Sequence, residues 1–376
     1  MSIYKAKGKK DGKQKYRVCV SYIDRMGKKR QLSRTVAGMA EANATEAKLK
    51  AEVRQNTSLV CNLTLQELCD DYLEEKKYRV RESTYEKTKR NLDFYVISRI
   101  GNIKVKNLNL PLMKKWKMSI NKMGLKNRTK QNAYAEFRAL INYAVKMEYI
   151  PSNPLTKLGN FVDANEMPEE MKYYTVEEFH KFIAAARKNA ENAQAENNLY
   201  EWNYYIFFVI AFFTGMRKGE IYGLRWTDID GEYISVKRSI GQKVKGADRV
   251  TPPKNKSSIR TIQMPKPLIT ALNEHLERCK SIDGFYMEQY ICGGARVLRD
   301  SSVQNRNLLF SSQAGVKSIR IHDFRHSHAS LLANEGINIQ EIARRLGHSN
   351  IEITWAVYSH LYPREEERAI AVLNNV

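Results

Sequence analysis

The stretch HDFRHSHASLLANEGINIQEIARRLGHSNIEITWAVYSH, residues 322–360, decides how the rest of the chain is read. Its apolar residues recur at helical spacing and stop at Gly336 and again at Gly347, where a residue free to adopt left-handed backbone ends a helix. That punctuation predicts three helices. The first sets His322 and Arg325 three positions apart, on one face and within reach of one ligand. The second closes just before His348, and Ser349 or Asn350 can cap a third that ends near Tyr358.

Arginine, histidines and a tyrosine are thus brought together without an acidic partner motif. A guanidinium forks onto two phosphate oxygens, and an imidazole donates or shuttles protons near neutral pH. A phenol ionises near pH of about 10, so its use as a nucleophile needs positive surroundings and a base. The set suits attack by Tyr358 on a phosphodiester. Two other readings compete. LLANEGINIQEIARRLGHS alone has the pattern of a helix-turn-helix, so a nonenzymatic DNA-binding regulator is the alternative. His322 and His326 share a helical face, but metal sites of that spacing add a carboxylate or a third spaced ligand. None follows in the sequence, and neither a metal nor any other cofactor is expected.

In carrying H-x-x-R, L-G-H and Y in that order, the stretch resembles the tyrosine recombinases, the phage and transposon integrase family. The resemblance extends upstream to TGMRKGE, residues 214–220, which is similar to the family's T-G-x-R-x-x-E box. An arginine directly after the apolar run IFFVIAFFTGM (206–216) is costly to bury unless it serves a ligand or an ion pair. The resemblance implies that Arg217 and Arg325 hold the phosphate, that Glu220 supports Arg217, and that Tyr358 is the nucleophile. It implies His322 as the base toward the phenol, with His348 bonding the phosphate or orienting the nucleophile. The family's catalytic lysine lies in a β-hairpin; within TPPKNKSS (251–258) Lys254 fits best, with Lys256 as the fallback. The implied reaction cleaves and rejoins DNA through a 3′-phosphotyrosine, integrating and excising a conjugative transposon or prophage. Bond energy kept in the tyrosine ester removes any need for ATP, and no G-x-x-x-x-G-K-[ST] loop occurs.

Composition agrees with a polyanionic partner. The 376 residues hold 63 Lys+Arg against 41 Asp+Glu, a formal charge of +22, and neutralising phosphates with counterion release drives such a chain onto nucleic acid. The 206–216 run is about half the length of a membrane span, and MSIYKAKGKK lacks the apolar core of an export signal. A cytoplasmic, nucleoid-associated protein without a membrane partner is expected. Cys19, Cys61, Cys69, Cys279 and Cys292 include no C-x-x-C pair and are read as reduced packing residues.

Working outward, residues 1–60 carry 15 Lys/Arg against 5 Asp/Glu. KYRVCVSYI alternates Tyr16, Val18, Val20 and Tyr22 on one face of a strand, DRMG turns, and KKRQLSRTV returns. A helix over roughly 39–54 would cover this sheet with Ala40, Ala44, Ala47 and Ala51. A basic sheet of two or three strands backed by a helix can lay a ribbon in a major groove, and it resembles the family's arm-type DNA-binding domain, with Lys15, Arg17, Lys28, Lys29, Arg30 and Arg34 toward DNA. Residues 61–156 turn helical. Thr64-x-x-Glu67 and Ser83-x-x-Glu86 read as capping boxes, and stripes at Leu65, Leu68, Tyr72, Leu73, at Met113, Trp116, Ile120, and from Tyr134 to Val145 read as core. Lys126, Arg128, Lys130 and Arg138 lie on the other side of the last helix, in a unit that looks like the family's four-helix core-binding domain. A Pro/Asn-rich linker at 157–170 leads to the catalytic domain, 171–376, opened by a capping box at Thr175 and Glu178. The expected architecture is multidomain: a small basic α+β domain, an all-α domain, and a mixed, mainly-α catalytic domain with a small antiparallel sheet. The resemblance further implies double-stranded DNA of core and arm type as partner, a tetramer in the synaptic complex with exchange of C-terminal elements, and leaves open an excisionase.

Overall fold

A computed structural model describes residues 3–10, 13–23, 29–55, 63–163, 170–242, 249–251, 259–362, 370, 373 and 374. The chain divides into two compact units, Met1–Met167 and Pro168–Val376.

The first unit begins with an antiparallel sheet in the order β1 (Ile3–Lys10), β2 (Lys13–Ile23), β3 (Lys29–Ala37), followed by α1 (Met39–Gln55). The sheet takes the three-stranded form of the expected two or three, with β1 as the added strand. Val18 and Val20 are buried against α1, but through Ala42 and Leu49, with Val53 beside them. Ala40, Ala44, Ala47 and Ala51 are exposed. The expected alanine face is therefore turned away, because burying a leucine and a valine removes more apolar area from water than burying methyl groups.

The register of β2 against β3 also separates the basic residues. Val18 pairs with Arg34 and Tyr22 with Arg30, so these arginines share the strand face of the apolar set, whereas Lys15 and Arg17 point to the opposite face. Lys28 lies outside the described residues.

The rest of this unit is helical: α2 (Leu65–Arg79), α3 (Glu82–Leu92), a π-helical turn (Asp93–Ile97) running into α4 (Ser98–Ile100), α5 (Leu110–Asn121), α6 (Asn127–Lys146) and α7 (Leu155–Leu158). Thr64 and Glu67 form the expected capping box. Ser83 does not, since α3 starts at Glu82 behind Arg81, which makes no side-chain cap. The expected stripes form one core in which Met113, Trp116, Ile120, Phe137, Leu140 and Ile141 are buried. That core runs on past residue 156 to Phe161, which packs on Trp116, while Lys117 donates to the carbonyls of Gly159 and Asn160 at 3.0 and 2.8 Å. Lys126, Arg128 and Arg138 are exposed, and Lys130 is half-buried.

The second unit contains α8 (Val176–Ala195), α9 (Trp202–Thr214), α10 (Lys218–Tyr222), β4 (Ile229–Asp230), β5 (Tyr233–Val236), β6 (Ser239–Gly241), β7 (Arg249–Thr251), β8 (Arg260–Gln263), α11 (Lys266–Lys280), α12 (Asp300–Gln313), α13 (Asp323–Asn334), α14 (Ile339–Leu346) and α15 (Ile351–Tyr358). The Thr175–Glu178 capping box opens α8 as expected. α9 is the central post: nearly every residue from Trp202 to Thr214 is buried, with Phe179 of α8 stacked on its Phe212 and Phe324 of α13 tilted on its Phe208. β4, β5 and β8 form a small antiparallel sheet, and β6 pairs with β7. Among the described residues no helix is long and apolar enough to cross a membrane. Cys19, Cys69 and Cys292 are buried and Cys279 is partly so, all as free thiols.

Candidate active site

The site is built where α9 stops. Gly215 ends that helix at φ 62°, and a Cβ there would meet the His328 ring at 2.7 Å and Leu346 at 2.9 Å. The sharp exit delivers Arg217 to the start of α10. Its main-chain N–H donates to Glu220 Oε2 at 3.0 Å and its guanidinium to Oε1 at 2.9 Å. Glu220 is 2% exposed and accepts a further bond from Arg260 of β8 at 2.9 Å. Burial by itself would raise the Glu220 carboxyl, but the charges and hydrogen bonds of Arg260 and Arg217 hold it below the ordinary carboxylate value. One carboxylate thus fixes two guanidinium groups. The Arg217 side chain remains 38% exposed, and its Nη2 reaches the carbonyl of Gly347 at 3.4 Å.

Glu220→Gln tests that arrangement. With the carboxylate gone, two neighbouring cations lose their shared counter-charge, and the variant is expected to unfold about 3 kcal/mol more easily at neutral pH. Because the Glu220 pKa is lowered on folding, its stabilising contribution is full above the ordinary carboxylate range and disappears as pH falls through the lowered value. Urea denaturation at pH 7 should therefore separate the two proteins, and the separation should narrow in acid.

Arg325 lies in the first turn of α13 and is 3% exposed. Nη1 donates to the carbonyl of Gly215 at 2.9 Å, and Nη2 lies 2.6 Å from His348 Nε2. A guanidinium can only donate, so Nε2 is the acceptor and the His348 proton resides on Nδ1, which lies 2.8 Å from Thr354 Oγ1. Burial, with Arg325, Arg217 and Arg260 nearby, takes the His348 imidazole down to about 4, so it is neutral at physiological pH. Burial together with Arg217 takes Arg325 down to about 9 against the opposing pull of Glu220. Both hydrogen-bond partners of this buried cation are uncharged, and such a group is poised to receive an anion.

Gly347, at φ 66°, ends α14 and turns His348 inward, and Asn350 caps α15 through the N–H of Glu352 at 2.9 Å. At the far end of α15, Tyr358 is 2% exposed and its hydroxyl lies 2.7 Å from Nδ1 of His326. Burial pushes the phenol up to about 12, with Arg325 pulling it down and Asp323 raising it.

Arg217, Arg325 and His348 are therefore linked within one unit, through Gly347 and the Arg325–His348 bond, and Tyr358 lies within electrostatic reach of Arg325. His322 stands exposed at the start of α13, its ring edge-on to His326 at 5.3 Å, and the phenol is bonded by His326 and not by His322. Lys254 and Lys256 lie outside the described residues.

Two contributors were not singled out in the sequence. His326 stands in H-x-x-R-H, where its spacing suggests only a metal partner of His322. Arg260 stood in SSIRTIQMP, where its alternation with Ile262, both buried in β8, was the available signal.

Residues 172–365 match the Phage integrase family, and residues 64–121 match its N-terminal SAM-like domain. A Tyrosine recombinase XerC-like protein of Caldanaerobacter subterraneus subsp. tengcongensis is 31% identical over 268 residues, 64% of each chain. The ICEBs1 integrase of Bacillus subtilis is 26% identical across 96% of this chain and 97% of its own. Among solved structures, the Tn1549 transposon integrase in complex with a circular intermediate DNA superposes with a TM-score of 0.66 at 19% identity, covering 83% of this chain and 99% of that one.

Proposed function

The chain belongs to the phage integrase family, and from that premise we infer that it is a site-specific tyrosine recombinase that cuts and rejoins double-stranded DNA to integrate and excise a conjugative transposon or prophage. The observation that supports the reading is a buried Arg325 hydrogen-bonded only to uncharged partners, with a partly open Arg217 near enough to repel it and the Tyr358 phenol near enough to feel its charge.

Arg217 and Arg325 grip the nonbridging oxygens of the scissile phosphate and neutralise the charge that builds on pentacoordinate phosphorus. Neutral His348, held by Thr354, orients the Arg325 fork. The Tyr358 oxygen attacks, a 3′-phosphotyrosine forms and a 5′-hydroxyl leaves. That leaving oxygen needs a proton donor, a role we give to Lys254, with Lys256 as the fallback. Reversal by a 5′-hydroxyl of another strand completes the exchange.

The three domains serve DNA in turn: the 1–60 sheet on arm-type sites through its Lys15–Arg17 face, the helical domain on the core site through Lys126, Arg128, Lys130 and Arg138, and the catalytic domain at the phosphate. The assembly that recombines is a tetramer on DNA with exchange of C-terminal elements. The protein works in the bacterial cytoplasm on the nucleoid.

The test is a nicked suicide duplex carrying the junction sequence of the element that encodes the chain. A recombinase yields a covalent adduct stable to denaturation, whose modified peptide contains Tyr358. A DNA-binding regulator yields a mobility shift and no adduct.

A further inference from the structure

We propose that His326 is the base that takes the proton of Tyr358 during strand cleavage and returns it during rejoining. The inference rests on the strand-transfer reading above and deepens it by moving a role from His322 to its neighbour on the next turn.

The geometry favours His326 on three counts. Its Nδ1 lies 2.7 Å from the Tyr358 oxygen, the separation of an O–H···N hydrogen bond. The phenol is 2% exposed, so bulk water is a poor alternative acceptor. His322 meets the His326 ring edge-on and makes no hydrogen bond to the phenol. Nδ1 can accept the phenol proton only when the imidazole is neutral with its own proton on Nε2. Partial burial, with Arg320 and Arg325 close by, favours that form, while Asp323 opposes it.

The same Asp323 has a use once the proton moves. Its buried carboxylate, held by Arg320 through its backbone N–H at 2.8 Å and its guanidinium at 2.9 Å, sits one turn before His326 and steadies the imidazolium that forms. The charged and titratable groups facing His326 are thus Arg320, His322, Asp323 and Arg325 on its own segment and Tyr358 on α15.

In cleavage the bond from the Tyr358 oxygen to phosphorus forms and the bond from phosphorus to the 5′ oxygen breaks. The phenol proton passes to His326 Nδ1, and the 5′ oxygen collects a separate proton from the ammonium group assigned to Lys254. In rejoining, the attacking 5′-hydroxyl gives its proton back to that amine, and the imidazolium reprotonates the departing phenolate.

Single-turnover attachment to the nicked suicide duplex tests this with the full chain and its His326→Ala, His326→Gln and His322→Ala variants. His326→Ala and His326→Gln are both expected to attach about 100-fold more slowly, with DNA affinity by mobility shift within about twofold of wild type. Their deficit should shrink as pH rises toward ionisation of the phenol. A fluorinated tyrosine at 358, which ionises more readily, should recover about tenfold in His326→Ala and little in wild type. Attachment by His326→Ala at or above the wild-type rate would overturn the proposal alone, as would full activity of His326→Gln, which keeps an acceptor but no base. No adduct from the wild-type chain would overturn the strand-transfer reading as well.

Discussion

Tyr358→Phe is expected to bind DNA with unchanged affinity and to form no covalent adduct at any pH. Removing one oxygen leaves the ring in its buried socket at the end of α15, among Ala329, Ala333, Ile342 and Leu346. The stability change is then confined to one hydrogen bond to a half-buried imidazole, about 1 kcal/mol. The chemical change is far larger, on the order of 10⁶-fold when an essential nucleophile is lost. Denaturing gels after a day with suicide substrate, beside a mobility shift and a thermal melt of the same sample, separate the two effects. Adduct formed by Tyr358→Phe would transfer the nucleophile to another residue and sink the assignment.

Arg325→Met is expected to abolish cleavage and at the same time to make the free protein no less stable. In the free protein this buried guanidinium has a carbonyl and a neutral imidazole as partners, while Arg217 and Arg260 add repulsion. Its charged form is thus disfavoured by folding, as the value lowered to about 9 expresses. The sign follows: the penalty is present at neutral pH, where Arg325 is charged folded and unfolded, and it fades as pH rises past that value. An unbranched apolar side chain of similar length fills the space without the charge, which for buried ionic groups is neutral or stabilising by about 1–4 kcal/mol. The cost falls on function, since the fork that should meet the phosphate is gone; a loss of about 10³-fold or more in attachment rate is expected. Thermal melts at pH 7 and pH 9.5, with and without duplex DNA, give the readout. DNA should raise the wild-type midpoint more than that of the variant. A variant much less stable than wild type in the absence of DNA would mean that Arg325 is chiefly a structural strut.

Much of this molecule is written in local pattern. Gly215, Gly336 and Gly347 mark helix ends because their positive φ values suit a residue without Cβ, and the capping boxes at Thr64 and Thr175 announce helices through side chains three residues apart. The boxes that carry Arg217, Arg325, His348 and Tyr358 are equally local, each confined to a few positions. Local pattern misled where two short-range signals competed. Ser83 had the spacing of a cap but lost to a helix starting at Glu82, and the alanines of α1 had helical spacing but less apolar surface than Leu49 and Val53.

What the sequence by itself determined is the inventory: a strongly basic composition, the helices, and the short boxes that hold Arg217, Arg325, His348 and Tyr358. What only the tertiary structure decided is who touches whom. His322 and His326 are one turn apart on the same helix, and no rule of spacing says which imidazole the end of α15 will meet. Arg260 joins Arg217 on Glu220 across forty residues because the fold brings the start of β8 to that buried carboxylate, a pairing invisible to any window of sequence. The reason is physical: periodicity fixes the direction of a side chain relative to its own backbone, while hydrogen-bond partners depend on how separate elements pack against a shared core.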